Sequence, residues 1–129
     1  MARILIIDDE EAVRLTLSQA LECEGHTVIE AANGAAGLKR FEVEPVDLVI
    51  TDILMPDKEG LETIRDLRRL RSDLKIIAIS GGGRNDNVNF LEMAGRLGAD
   101  ATLKKPFSID DLCRVVSTCL DGLARRKGA

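Results

Sequence analysis

Aromatic residues are almost missing from this chain. Its 129 residues include no tryptophan, no tyrosine and three phenylalanines, which counts against a function that stacks a flavin or nucleotide ring on aromatic side chains. Histidine occurs once, as His26, so there is no histidine cluster for zinc. In the turn "EGHTV", beside a glycine, it is expected to be exposed. The three cysteines, Cys23, Cys113 and Cys119, are odd in number and far apart, with no CxxC pair. That excludes a disulfide framework. Cys113 and Cys119 fall on the apolar stripe of a predicted helix and read as small buried hydrophobes. Positive charge is not in excess: 18 Lys and Arg stand against 22 Asp and Glu, a net charge of -4. A basic face for direct nucleic-acid binding is therefore not expected. No apolar run approaches the roughly 20 residues of a membrane span. The opening "MARILIIDDEEAV" carries no signal-peptide pattern. The expectation is a cytoplasmic protein that does not engage membranes.

What is present is a balanced globular composition, 45% hydrophobic and 31% charged, of a size for one domain with one core. Five apolar runs have strand length: Ile4–Ile7, Thr27–Ala31, Leu48–Thr51, Lys75–Ser80 and Ala101–Leu103. Several are nearly continuous, as parallel strands covered on both faces are. Helical spacing fills the intervals: Val13, Leu17, Ala20 and Leu21; then Leu61, Ile64, Leu67 and Leu70; and last Ile109, Leu112, Cys113, Val116, Cys119, Leu120 and Leu123. Ser108 is an N-cap candidate with Asp111 at the capping-box position, and Phe107 and Leu112 stand where a hydrophobic staple would be. Gly25, Pro45 and Gly98 mark joints. Five β-α units in succession predict an open, doubly wound α/β domain, (βα)5, with a five-stranded parallel sheet of order 2-1-3-4-5.

In such a sheet all strand carboxyl ends share one edge, where ligands bind. Strand one ends in Asp8-Asp9, strand three in Asp52, strand four in Ser80 and Gly81-Gly82-Gly83, strand five in Lys104-Lys105-Pro106. Taken alone, Asp52 reads equally as helix cap, metal ligand, general base or nucleophile. Glu10 and Glu11 read as acids favoured by the dipole at a helix N-terminus. The glycines lack the GK[ST] of a nucleotide-phosphate loop. Together the groups point to one rim of carboxylates, a hydroxyl and an ammonium. Crowded carboxylates repel, and a cation relieves the repulsion. An oxygen-only donor set favours Mg²⁺. Metal and lysine beside a carboxylate are the setting for phosphoryl transfer, with Asp52 as a candidate nucleophile.

The segments "ILIIDDE", "DLVITDILMPDKEG", "KIIAISG" and "GADATLKKPF", in order and register, closely resemble the response regulator receiver domain of two-component systems, of the stand-alone kind. The likeness runs from about Ala2 to Leu123. It implies a flavodoxin-like receiver over residues 1–124, followed by a short basic tail, 125–129, without an output domain. It implies that Asp52 accepts a phosphoryl group from the phosphohistidine of a sensor kinase or histidine phosphotransfer protein. It further implies that Asp8, Asp9, Asp52 and the Leu54 backbone carbonyl gather around Mg²⁺. Ser80 and Lys105, rather than Lys104, would sense the phosphoryl group, and the Lys105–Pro106 bond would be cis. Thr102 stands where receivers often carry a switching aromatic ring. The chain would be no enzyme beyond its own phosphorylation and dephosphorylation. Its output would be a changed face of the fourth helix, fifth strand and fifth helix, docking an unknown downstream protein as a monomer or weak phosphorylation-dependent dimer. Other readings are a phosphate sink or relay intermediate, a receiver fragment of a longer regulator, and a flavin or nucleotide carrier. An aspartyl-phosphate phosphatase matches less well, because Leu54 stands two residues after Asp52.

Overall fold

The computed structural model describes residues 2–53, 59–80 and 90–128. The chain alternates β1 (Arg3–Ile7), α1 (Glu11–Cys23), β2 (Thr27–Ala31), α2 (Gly34–Val43), β3 (Leu48–Asp52), α3 (Glu59–Leu70), β4 (Lys75–Ser80), α4 (Phe90–Leu97), β5 (Ala101–Lys104) and α5 (Ile109–Gly128). All strand pairs are parallel, in the order β2-β1-β3-β4-β5, as the sequence predicts. The Gly81-Gly82-Gly83 segment and the helix start expected near Asn87 lie outside the described residues.

The two-residue period of the inner strands divides the core into two layers. Leu5 and Ile7 of β1, Val49 of β3, and Ile76 and Ala78 of β4 pack with Ile64 and Leu67 of α3 and Ala94 of α4. Ile4, Ile6, Leu48, Ile50, Ile77 and Ile79 face the other way, onto Leu17 and Leu21 of α1 and Leu112 and Val116 of α5. Each fully buried aliphatic side chain contributes about 1.5–3 kcal/mol. The central strands are apolar along their whole length because both faces are covered. Leu70 and Ile109, expected on apolar stripes, remain 53% and 43% exposed, since each sits at a helix end beyond the sheet. Among the described residues no helix is long and apolar enough to cross a membrane.

Caps fix the helix ends. Gly25 and Gly98 have φ of 92° and 119°. Both follow helices whose last carbonyls are closed by paired bonds: Gly25 N to Glu22 O and His26 N to Leu21 O after α1, Gly98 N to Gly95 O and Ala99 N to Ala94 O after α4. This is the Schellman arrangement, which needs a left-handed residue. At α5 the capping box is reciprocal, Asp111 N to Ser108 Oγ at 3.0 Å and Ser108 N to Asp111 Oδ2 at 3.4 Å. α5 continues to Gly128, so residues 125–128 of the basic tail are helical. Ala124, Arg125, Arg126 and Lys127 are good helix formers, and cations suit a helix C-terminus.

His26 corrects another expectation. It is half-buried, and its Nδ1 accepts a hydrogen bond from Ala2 N at 3.1 Å. Burial disfavours the imidazolium and lowers its pKa below the ordinary 6.5. Cys119 is buried as expected, Cys113 is half-buried, and Cys23 is exposed. Burial raises the Cys113 and Cys119 thiol pKa values.

Opposite the strand carboxyl ends, Arg68 of α3 fastens three elements. Its guanidinium donates to Ser72 O (2.7 Å), Leu74 O (2.6 Å), Gly98 O (2.5 Å) and Asp100 Oδ2 (2.9 Å). Asp100 also accepts from Ile76 N at 2.9 Å and pairs with the buried Lys75 at 3.8 Å.

Two predictions follow from these contacts. Arg68→Ala strands several carbonyls and Asp100, so denaturant titration should show a loss of about 2–4 kcal/mol. The His26 ring, the sole imidazole, should titrate by NMR with a midpoint below 6.5. The unfolded state then binds more protons in that window. This group's stabilising contribution is complete above the ordinary pKa and is lost as pH falls through the folded one.

Candidate functional site

The strand carboxyl ends converge as the topology requires. Asp8 follows β1 and is buried, with its amide donating to Ala31 O at 3.2 Å. Asp52 closes β3 and is buried. Ser80 closes β4 and is buried. Lys105 follows β5, and its amide donates to Ser80 O at 2.7 Å. The Lys105–Pro106 peptide is cis.

The Lys105 ammonium joins the groups. Its Nζ lies 3.3 Å from Asp52 Oδ2, 3.5 Å from Asp8 Oδ2 and 3.8 Å from Glu10 Oε1. Lys104, one residue earlier, is exposed. Burial alone would lower the Lys105 pKa, but the carboxylates of Asp52, Asp8 and Glu10 outweigh it and raise the pKa above its ordinary value. Burial acts more strongly on Asp8. It lifts that carboxyl to about 6, helped by the charge of Asp52 and opposed by a 2.8 Å hydrogen bond from Glu10 N and by Lys105. One lysine therefore does not offset the cost of burying the Asp8 carboxylate.

Asp8, Asp9, Glu10 and Asp52 each offer a carboxylate oxygen, and these atoms lie within 4.8 Å of one another. Two of the acids are buried and two exposed, so the cluster opens to solvent on one side. The donors are all oxygen, and one of them, Asp8, has its pKa raised chiefly by burial. That chemistry fits a hard divalent cation. Leu54 lies outside the described residues. Thr102 is exposed on β5, paired in register with Ala78, and is not among the residues brought together here.

Glu10 is the residue that sequence reasoning missed. Glu11 does begin the first turn of α1, but Glu10 occupies the cap position without a side-chain cap bond. Its carboxylate turns to Lys105 instead. The signal was its place two residues beyond Asp8, near enough to the strand end to reach the rim.

A family model described as the response regulator receiver domain matches residues 4–117. The response regulator receiver protein CpdR of Brucella abortus (strain 2308) is 35% identical over 125 residues, covering 93% of this chain and 98% of its own. The crystal structure of a CheY-like receiver domain protein from Methanospirillum hungatei JF-1 superposes with a TM-score of 0.88 at 34% identity, covering 98% of both chains. That of the response regulator TrrA from Thermotoga maritima, solved in complex with Mg(2+)-BeF, has a TM-score of 0.80 at 34% identity and covers 92% of this chain and 99% of its own. Other curated relatives are much longer: the chain spans 13%, 24% and 48% of three that match at 37–38% identity.

In the metal-free protein, carboxyl-detected NMR should find Asp8 titrating near pH 6. Asp52→Asn should lower that midpoint only in part, because burial is the larger cause. The folded state binds the extra proton here. This group's contribution to stability is present below the ordinary carboxyl pKa and is lost as pH rises through about 6.

Proposed function

The chain belongs to the response regulator receiver family of two-component signalling, and we propose that it carries a signal by accepting a phosphoryl group on Asp52. Receiver domains of response regulators interact with sensor kinases, and the donor here is a phosphohistidine on such a kinase or on a histidine phosphotransfer protein. The reading rests on one observation above all: a buried carboxylate at the end of β3 lies 3.3 Å from a lysine ammonium and within 4.8 Å of three further acids.

In the proposed step an Asp52 oxygen attacks phosphorus. A P–O bond forms as the P–N bond breaks, and the imidazole nitrogen leaves with the electron pair and takes up a proton. Asp8, Asp9 and Asp52 would hold Mg²⁺, which when bound supplies positive charge to the donor's phosphoryl oxygens. The Mg(2+)-BeF complex of the Thermotoga relative supports this choice of ion. Lys105 already lies beside Asp52. Phosphorylation adds roughly one further negative charge, and the ammonium answers it by leaving Asp8 and Glu10 for the phosphoryl oxygens. Ser80, closing the neighbouring strand, donates its hydroxyl to the same group. With these two side chains displaced, the changed face of α4, β5 and α5 docks a downstream protein. Beyond its own phosphorylation and dephosphorylation the domain catalyses nothing.

A small phosphodonor with Mg²⁺ should label Asp52, and labelling should vanish in Asp52→Asn or after chelation of the metal. Full labelling of Asp52→Asn would falsify the assignment. Lys105→Ala should still take label but respond weakly. With beryllofluoride, amide exchange should change across residues 81–97 and stay nearly constant across 27–41; the reverse pattern would reject this output face.

A further inference from the structure

Gly60, in the first turn of α3, is buried against the strand that carries Asp52. A Cβ built there would lie 2.5 Å from the Asp52 carbonyl oxygen and 2.9 Å from the Ile53 carbonyl carbon, and closer still to Ile53 Cα. All three are main-chain atoms, so none can swing aside as the end of a side chain does. The same test at Gly37 meets only the side chain of Ile7, and at Gly95 it meets nothing within 4 Å. The contact at Gly60 is therefore of a different kind. It brings helix backbone onto strand backbone at the residue after the proposed nucleophile.

The other side of that residue is also held. Ile53 N donates to Ile79 O of β4 at 2.9 Å, and the Ile53 side chain is buried. The Asp52–Ile53 peptide is thus clamped between β4 and α3. We infer that Gly60 is a positioning residue for Asp52: by lacking a side chain it lets α3 seat on the β3 terminus and sets the carboxylate relative to Lys105 and the neighbouring acids. The inference rests on Asp52 being the phosphoryl acceptor. It goes beyond that reading by giving a residue with no chemistry of its own a part in the rate.

The experiment measures Asp52 labelling by phosphoramidate at saturating Mg²⁺ in the full chain, in Gly60→Ala and in Leu67→Ala. Leu67→Ala weakens the same helix at the core without adding an atom near Asp52. Gly60→Ala should lower the maximal labelling rate by roughly tenfold or more, since misplacements of about 1 Å cost on the order of a hundredfold. The donor concentration at half-saturation should be unchanged. Leu67→Ala, though less stable, should label at the parent rate. A Gly60→Ala rate within twofold of the parent overturns the inference, as does an equal loss in Leu67→Ala. If Gly60→Ala is unfolded in buffer, the measurement is made in trimethylamine N-oxide, which favours the compact state. Failure to fold even there assigns Gly60 to general packing and rejects the positioning role. If the parent chain takes no label, the acceptor assignment itself fails. The position of the Asp52–Ile53 peptide is then decided by its amide resonances, which should shift in Gly60→Ala and not in Leu67→Ala.

Discussion

Among the described residues one ammonium, that of Lys105, lies against both buried carboxylates, Asp8 and Asp52. Asp8 and Asp52 are 1% and 3% exposed, and water does little to screen them. Lys105 binds both, yet Asp8 is still lifted from 3.8 to about 6, equivalent to roughly 3 kcal/mol against ionisation. Burial, more than the neighbouring charge of Asp52, sets that cost. A divalent cation would relieve it, and without one the lysine stays paired with both acids.

The fold exists to make that juxtaposition possible. Asp8, Asp52 and Lys105 are far apart in sequence and share no local element. They meet because the three strands ahead of them are parallel and adjacent or nearly so in the order β1-β3-β4-β5. A parallel sheet needs crossover helices on both faces, and these cover it so completely that Ile4 to Ile7 and Ile76 to Ile79 are almost fully excluded from water. At the rim the strands can end in polar groups, because buried acids there adjoin exposed ones, Asp9 and Glu10.

Much of this was legible in the sequence. Predicted and observed strands differ by a residue at most, because apolar runs bounded by acids, glycine and lysine leave little freedom of register. The strand order followed from crossover handedness, and the Ser108 capping box from two side chains three residues apart. What local patterns could not carry were approaches between distant segments. Glu10 looked like a helix-dipole acid until β5 brought Lys105 within reach. His26 looked exposed because nothing in "EGHTV" announces Ala2 as a neighbour. No local pattern marked Gly60, and its contact with Ile53 is a property of how the chain closes on itself. The family resemblance anticipated which of two adjacent lysines faces the pocket, a choice that charge alone leaves open.

Arg68 has a mechanical consequence. It grips the carbonyl of Gly98 and the carboxylate of Asp100, so the described contacts fasten α4 at its C-terminal end, remote from the rim. α4 spans eight residues, a rod of roughly 12 Å. Ala94, midway along the helix, is buried in the core, so any tilt of α4 about the arginine would have to repack that contact. A tilt of about 10° about the arginine would carry Phe90 through about 2 Å, the scale of the helix shifts that repack an interface. The arginine would thus set the pivot of such a shift, and the N-terminal end of α4 would travel farthest.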